Sequence, residues 1–298
     1  MQIVASVPAR LGLSALAGLF LATTAQAQTF EIMGYFTGAK LATPDQRQAF
    51  PKAAAKRGLT PPKVDLSALM PAVGDQGKQG SCVAWSTTYA LRGYYVAKND
   101  KLSLAQGQNL PSPAYVYNHA NFDKGVITCR AAGMQVYHAL DILKAGVVSM
   151  AEMPYDQENC SPAPDVRMQT AAKKFRIDAW EYVDPSDIDT IKGNLAAGNP
   201  VEFAMNLAPS FPKFKGNGVY SRPATEQQDP NGGHAMVLIG YDDARKAFLL
   251  QNSWSTGWGD KGRAWMAYDT FKSDAGEAYV VYPANNNPVN VVRPGTGK

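Results

Sequence analysis

Cys82 stands in the run Asp75-Gln76-Gly77-Lys78-Gln79-Gly80-Ser81-Cys82-Val83-Ala84-Trp85-Ser86, where a glycine-punctuated turn passes straight into an apolar run of helical spacing. A thiol at the start of a helix lies near free N–H groups and the positive end of the helix dipole. Both favour thiolate, the form that attacks a carbonyl. Gly77 and Gly80 let the backbone turn tightly and approach a ligand, and Ser81 is suited to cap the helix. From six residues upstream, the Gln76 amide can curl back beside the sulfur and donate to the oxyanion formed during attack. Most unpaired cysteines are small buried hydrophobes, and this window alone leaves both readings open.

A nucleophilic thiol needs a base. Of His119, His138 and His234, only the last has a promising setting, with Gly232-Gly233 before it and the strand-like run Ala235–Tyr241 after it. Facing Cys82, it would form a thiolate–imidazolium pair in which each charge stabilises the other. His138 lies on a helical segment without an acid or cysteine at catalytic spacing, and it and His119 are read as structural or surface residues. Asn252 ends the next apolar run, in Leu250-Gln251-Asn252-Ser253-Trp254-Ser255-Thr256-Gly257-Trp258-Gly259. Two strands joined by a turn at 242–246 run antiparallel, which brings the end of one beside the start of the other. A neutral amide oxygen there orients the imidazole without adding charge, and Trp254 can shield that hydrogen bond from water. Trp254 and Trp258 also suit core packing, and the two roles are compatible.

The elements that hold these groups follow from periodicity. Val83, Ala84, Tyr89, Ala90, Leu91, Tyr94 and Val96 spread too widely for a surface stripe, so the helix from Cys82 to near Lys98 is expected to be buried and central. Further helices are expected from Pro113, over about 134–145 with Gly146 as its stop, and from Ser186 or Asp187 to Gly198. Strand-like runs then follow at 201–207, 235–241, 247–252 and 263–268. Helices first and strands second predict an α+β protein of two packed halves.

Composition narrows the class. The chain has 298 residues, 45% of them hydrophobic and 18% charged, which is enough for a real core. A net charge of +4, with the basic residues scattered, gives no support to nucleic-acid binding. Residues 1–27 read as a signal peptide: one positive charge, a short apolar stretch at 11–21 and the small-x-small run Ala25-Gln26-Ala27. Without it the chain has no spanning segment, and the expectation is an exported protein, periplasmic or secreted, without stable membrane insertion. Three cysteines in an oxidising space leave one unpaired. Cys129 and Cys160 flank a helix and are expected to pair, leaving Cys82 free. No Cys or His pair has zinc-site spacing, so neither metal nor cofactor is expected. Residues 28–62, with Pro51 and Pro61-Pro62 as breaks, read as an N-terminal extension: either a short pro-segment covering the site or a leader strapped to the surface. The main domain is expected over 63–283, with a loose tail over 284–298.

Gln76 six residues before Cys82, the run Gln79–Trp85, Gly233-His234-Ala235 and Asn252–Gly259 together resemble a papain-like cysteine peptidase of the bacterial branch, four motif positions in family order. The resemblance implies Cys82 as nucleophile, His234 as acid and base, Asn252 as orienter, and Gln76 with the Cys82 backbone N–H as oxyanion hole. It implies a helical half and an antiparallel β-barrel-like half with the cleft between them, and a family disulfide at Cys129–Cys160. Val83 stands where the family usually has Trp, the long helical pro-domain is absent, and Arg130-Ala131-Ala132-Gly133 replaces a substrate-binding glycine pair. The implied function is a cysteine endopeptidase acting on protein or peptide substrates through a Cys82 thioester, expected to be exported and monomeric; autoinhibition by residues 28–62 is the expectation if that segment is a pro-segment. Its alternatives are a peptide- or partner-binding scaffold with little turnover and a cell-wall amidase.

Overall fold

The computed structural model describes residues 31–32, 34–122, 129 and 132–284. The expected signal peptide, Arg130-Ala131 and all of the tail past Ala284 lie outside them.

The chain enters through β1 (Glu31–Ile32) and β2 (Tyr35–Phe36), then α1 (Pro44–Ala49) and β3 (Lys63–Asp65). Helix α2 opens as Cys82–Ala84 and continues through π-helical turns at Trp85–Arg92 and Val96–Asp100, with Gly93–Tyr95 between them. The Ser86 and Thr87 hydroxyls both donate to the Val83 carbonyl, at 3.1 and 2.6 Å. In a regular α-helix that oxygen accepts from the Thr87 N–H, so this competition accounts for the widened turn. From Cys82 to Val96 every residue is buried, as its broad apolar coverage predicts.

Around α2 pack α3 (Pro113–Phe122) and α4 (Val136–Ala145). Ser112 Oγ accepts from the Tyr115 N–H at 3.3 Å, and Gly146 ends α4 with φ 110°. Leu91, Val116, Leu140 and Leu143 meet in one core cluster, each burial contributing ~1.5–3 kcal/mol. α5 (Val166–Ala171) leads to β4 (Ile177–Val183), and α6 (Ile188–Ala196) is capped by Asp187, whose side chain accepts from the Thr190 N–H.

The other half is a sheet of β5 (Val201–Asn206), β6 (Val219–Tyr220), β7 (Gly233–Asp242), β8 (Ala247–Gln251), β9 (Arg263–Ala267) and, after α7 (Tyr268–Asp274), β10 (Ala275–Pro283). With β4 it takes the order β4-β10-β5-β7-β8-β9-β6, and β3 pairs with β7. All pairings are antiparallel except β6 with β9. The fold is the expected α+β one. Among the described residues the sheet is open, its ends at β4 and β6. Phe203, Leu238, Phe248, Trp254 and Trp258 fill a second core cluster on this side.

β4 and β10 carry no clean alternation into solvent and were not anticipated as strands. The Lys52–Arg57 run forms no helix and contains one bridge residue, Lys52. Cys129 and Cys160 form the expected disulfide, 31 positions apart, and Cys82 is the free cysteine. Cys160→Ala is expected to cost ~3–4 kcal/mol, because the cross-link restricts a loop of that length in the unfolded chain. The urea midpoint with and without reductant checks it; a midpoint insensitive to both would refute a structural role.

Candidate active site

α2 delivers Cys82 from the helical half, and β7 and β8 deliver His234 and Asn252 from the sheet. The antiparallel register sets Val237 opposite Gln251, so the start of β7 lies beside the residue just past β8. His234 Nε2 is 2.8 Å from Asn252 Oδ1, and the Trp254 ring stacks on the imidazole with centroids 4.3 Å apart. Trp254 also packs at right angles to Trp258, so shielding and core packing coexist in one ring. With Nε2 committed to Asn252, Nδ1 is the nitrogen left for a thiol; it is buried and bonded to no other group. The sulfur of Cys82 lies against the backbone N–H groups of Ala235, Gly38 and Val83, which places it at the start of β7 beside His234.

Gln76 is fully buried and oriented from three sides. Ser253 Oγ donates to its Oε1 at 2.7 Å, while its Nε2 donates to the Phe36 carbonyl at 2.7 Å and the Gln79 carbonyl at 3.0 Å. Ser253 thus joins the two ends of the site, since its own N–H donates to Asn252 Oδ1 at 2.7 Å. Ser81 does not cap α2: its hydroxyl pairs with Tyr155 OH at 2.6 Å, and Tyr155 OH donates to the Gln76 carbonyl at 2.8 Å. The turn is held by this tyrosine, which sequence spacing could not reveal.

A strap formed by residues 36–42 crosses the nucleophile. Gly38 and Ala39 donate to the Gly233 carbonyl at 3.0 and 2.9 Å, the Met134 N–H donates to the Gly38 carbonyl at 2.8 Å, and Lys40 donates to the Met134 carbonyl at 3.0 Å. The Ala42 N–H reaches Glu277 Oε2 at 2.7 Å. Gly38 is required by close approach, because a Cβ there would lie 2.0 Å from the Gly80 carbonyl oxygen. Met134 and Gly233 therefore grip the strap by their backbone, and Gly133 makes room for it, since a Cβ there would lie 2.3 Å from the Gly38 carbonyl oxygen; side-chain reasoning missed all three. The signal available was a glycine immediately before the histidine and a lone glycine closing the Ala131-Ala132-Gly133 run.

Burial beneath the strap changes the electrostatics. It pushes the Cys82 thiol up to about 11, opposed by the three N–H groups at the sulfur. It pushes His234 down to about 4, opposed by Asn252. The pair in this covered state is a neutral thiol and a neutral imidazole rather than the expected thiolate–imidazolium couple, because neither charge has water to solvate it. Burial also pushes Glu277 up to about 7, against the Ala42 N–H that favours its ionised form.

Residues 60–284 match the family model described as papain family cysteine protease. The chain belongs to the papain family of cysteine proteases. It is 28% identical over 202 residues to a cathepsin L-like peptidase of Aedes aegypti, covering 65% of this chain and 55% of that protein. It is 26% identical over 261 residues to cathepsin S of Rattus norvegicus, covering 85% of this chain and 74% of that protein. The chain thus spans about half the length of the first of these relatives. Among solved structures it is similar to xylellain, a cysteine protease from Xylella fastidiosa, with TM-score 0.72, 25% identity, and 86% and 98% of the two chains covered. Procathepsin L 3 of Tenebrio molitor, at 19% identity and TM-score 0.62, shares the papain-like fold.

Proposed function

We propose that this papain-family member is an exported cysteine endopeptidase that hydrolyses peptide bonds through a Cys82 thioester. The observation that carries this reading is the Phe36 carbonyl held by the Gln76 amide on a chain crossing Cys82: the site already grips an extended polypeptide by its backbone. In catalysis the thiolate attacks a substrate carbonyl carbon, and Gln76 Nε2 with the Cys82 N–H stabilises the oxyanion. His234 protonates the leaving amine, then takes a proton from the water that cleaves the thioester. Asn252 keeps Nε2 occupied so that Nδ1 faces the chemistry. No helix among the described residues is long and apolar enough to cross a membrane.

Casein degradation by the full chain and by Cys82→Ala tests the reading; undiminished, inhibitor-insensitive activity in the variant would overturn it. Gln76→Ala is expected to lower kcat by ~2.7–4 kcal/mol of transition-state stabilisation with little change in KM. Unchanged turnover would remove the oxyanion role and leave the nucleophile in place.

Residues 28–62, acting through the strap, occlude this site until displaced. A peptide-capturing scaffold with little turnover is the second reading, favoured by the filled cleft and the neutral Cys82–His234 pair. Stoichiometric labelling of Cys82 by an epoxide at neutral pH, lost in His234→Ala, separates a primed nucleophile from an inert one.

A further inference from the structure

Past the strap, the chain makes a second attachment away from the nucleophile. Phe50, the residue after α1, seats its ring among Tyr137 of α4, Trp180 and Tyr182 of β4, and Tyr279 of β10. The centroid distances are 5.0, 5.2, 6.5 and 6.0 Å, with Trp180 edge-on at 84°. The box holds its shape through contacts of its own. Tyr279 meets Trp180 and Tyr182 edge-to-face at 5.6 and 5.8 Å, and Trp180 Nε1 donates to Asp141 Oδ1 at 3.0 Å.

The backbone on either side of Lys52 extends the sheet. β4 is its terminal strand, and the Tyr182 N–H donates to the Pro51 carbonyl at 2.8 Å while the Ala53 N–H donates to the Tyr182 carbonyl at 2.9 Å. Lys52 Nζ sits 4.3 Å over the Tyr182 ring. Three recognition elements therefore coincide: an aromatic pocket, an open strand edge and a cation–π seat two residues further on. They connect to the cleft along one strand, since Glu277, which binds Ala42, lies two positions from Tyr279 on β10.

We propose that this seat is an exosite for an extended polypeptide carrying an aromatic residue and, two positions later, a lysine or arginine. Phe50-Pro51-Lys52 is its resident ligand, and a substrate segment of the same pattern displaces it and loosens the strap over Cys82. The inference rests on the peptidase reading only for its consequence; binding and opening are measurable without turnover. A tethered occupant competes at an effective concentration on the order of millimolar, so a free peptide needs that concentration against the intact chain and much less once Phe50 is gone.

The test uses the full chain, a synthetic peptide of residues 43–55 and the same peptide with the phenylalanine replaced by alanine. Binding is read by tryptophan fluorescence, with Trp180→Phe as the blank, and opening by the rate of Cys82 alkylation with iodoacetamide. Phe50→Ala is expected to alkylate at least tenfold faster than the unsubstituted chain and to bind the peptide at least tenfold more tightly. Lys52→Ala, exposed and remote from the core, is expected to give a smaller increase in alkylation and serves if Phe50→Ala melts early. The alanine peptide is expected neither to bind nor to accelerate alkylation. Alkylation at the unsubstituted rate in both variants, or equal binding of the two peptides, would overturn the proposal. Absent casein hydrolysis with these responses intact would instead count against the peptidase reading alone.

Discussion

His234→Ala is expected to lower kcat/KM on a peptide substrate by roughly 10^4- to 10^6-fold, the loss seen when one member of an interdependent catalytic set is removed. The ring is fully buried, bonded through Nε2 to Asn252 and covered by Trp254, so no other described histidine can replace it. His119 lies on α3 near Tyr115 and His138 on α4 next to Tyr137, both on the helical half away from β7. Alanine removes both the group that takes the thiol proton and the cation that would stabilise the thiolate. In strap-displaced protein, the variant should therefore also require higher pH for Cys82 alkylation than its parent. Equal alkylation profiles would mean that the two side chains do not communicate, and retained turnover would exclude His234 as the base.

Gly38→Val is expected to expel the strap and to give the largest gain in thiol reactivity of any substitution outside the catalytic set. A Cβ at Gly38 meets backbone rather than a movable side chain, 2.0 Å from the Gly80 oxygen and 2.5 Å from its carbonyl carbon, so the strap cannot shift locally to accept it. Expulsion returns water to the cleft and removes the desolvation that holds Cys82 near about 11 and His234 near about 4. With the strap on, thiolate accumulates only as pH approaches 11, so at pH 7 about one thiol in ten thousand is ionised. With it off, the titration moves to lower pH and each unit raises the thiolate fraction at pH 7 about tenfold. A return to the ordinary cysteine value alone would give ~300-fold faster alkylation. The pH profile of alkylation checks this; a profile unchanged by Gly38→Val would mean that the strap does not govern solvation of the pair.

Much of the site was legible because its chemistry is carried by side chains on locally coded elements. The run Gln76–Ser86 contains its own turn and helix start, and β7, its turn and β8 are consecutive, so antiparallel pairing alone brings His234 to Asn252. The Trp254 shield followed from the same proximity. Ser81 was misread as a cap because its actual partner, Tyr155, is 74 positions away. Nothing in the local pattern gives Ser253 a role, yet its hydroxyl aligns the Gln76 amide 177 positions upstream. β10 escaped notice because it is buried along much of its length and carries Glu277, a residue that reads as solvent-facing until its contact with Ala42 is seen.

The sequence by itself determined the order and identity of Gln76, Cys82, His234 and Asn252, the Cys129–Cys160 pairing and the helices-then-strands plan. Each depends on residue type and on neighbours within one or two elements. Only the tertiary structure decided the state of the site: which carbonyl Gln76 holds, that the thiol and imidazole are neutral, and that Phe50 is seated in an aromatic box on β4 and β10. Those outcomes depend on desolvation and on contacts between segments some 40 to 235 positions apart, such as Gln76 with Phe36 and Ala42 with Glu277. A backbone carbonyl or N–H is the same group in every residue, and side chains this far apart meet only in the folded chain, so spacing along the sequence could not announce either kind of contact.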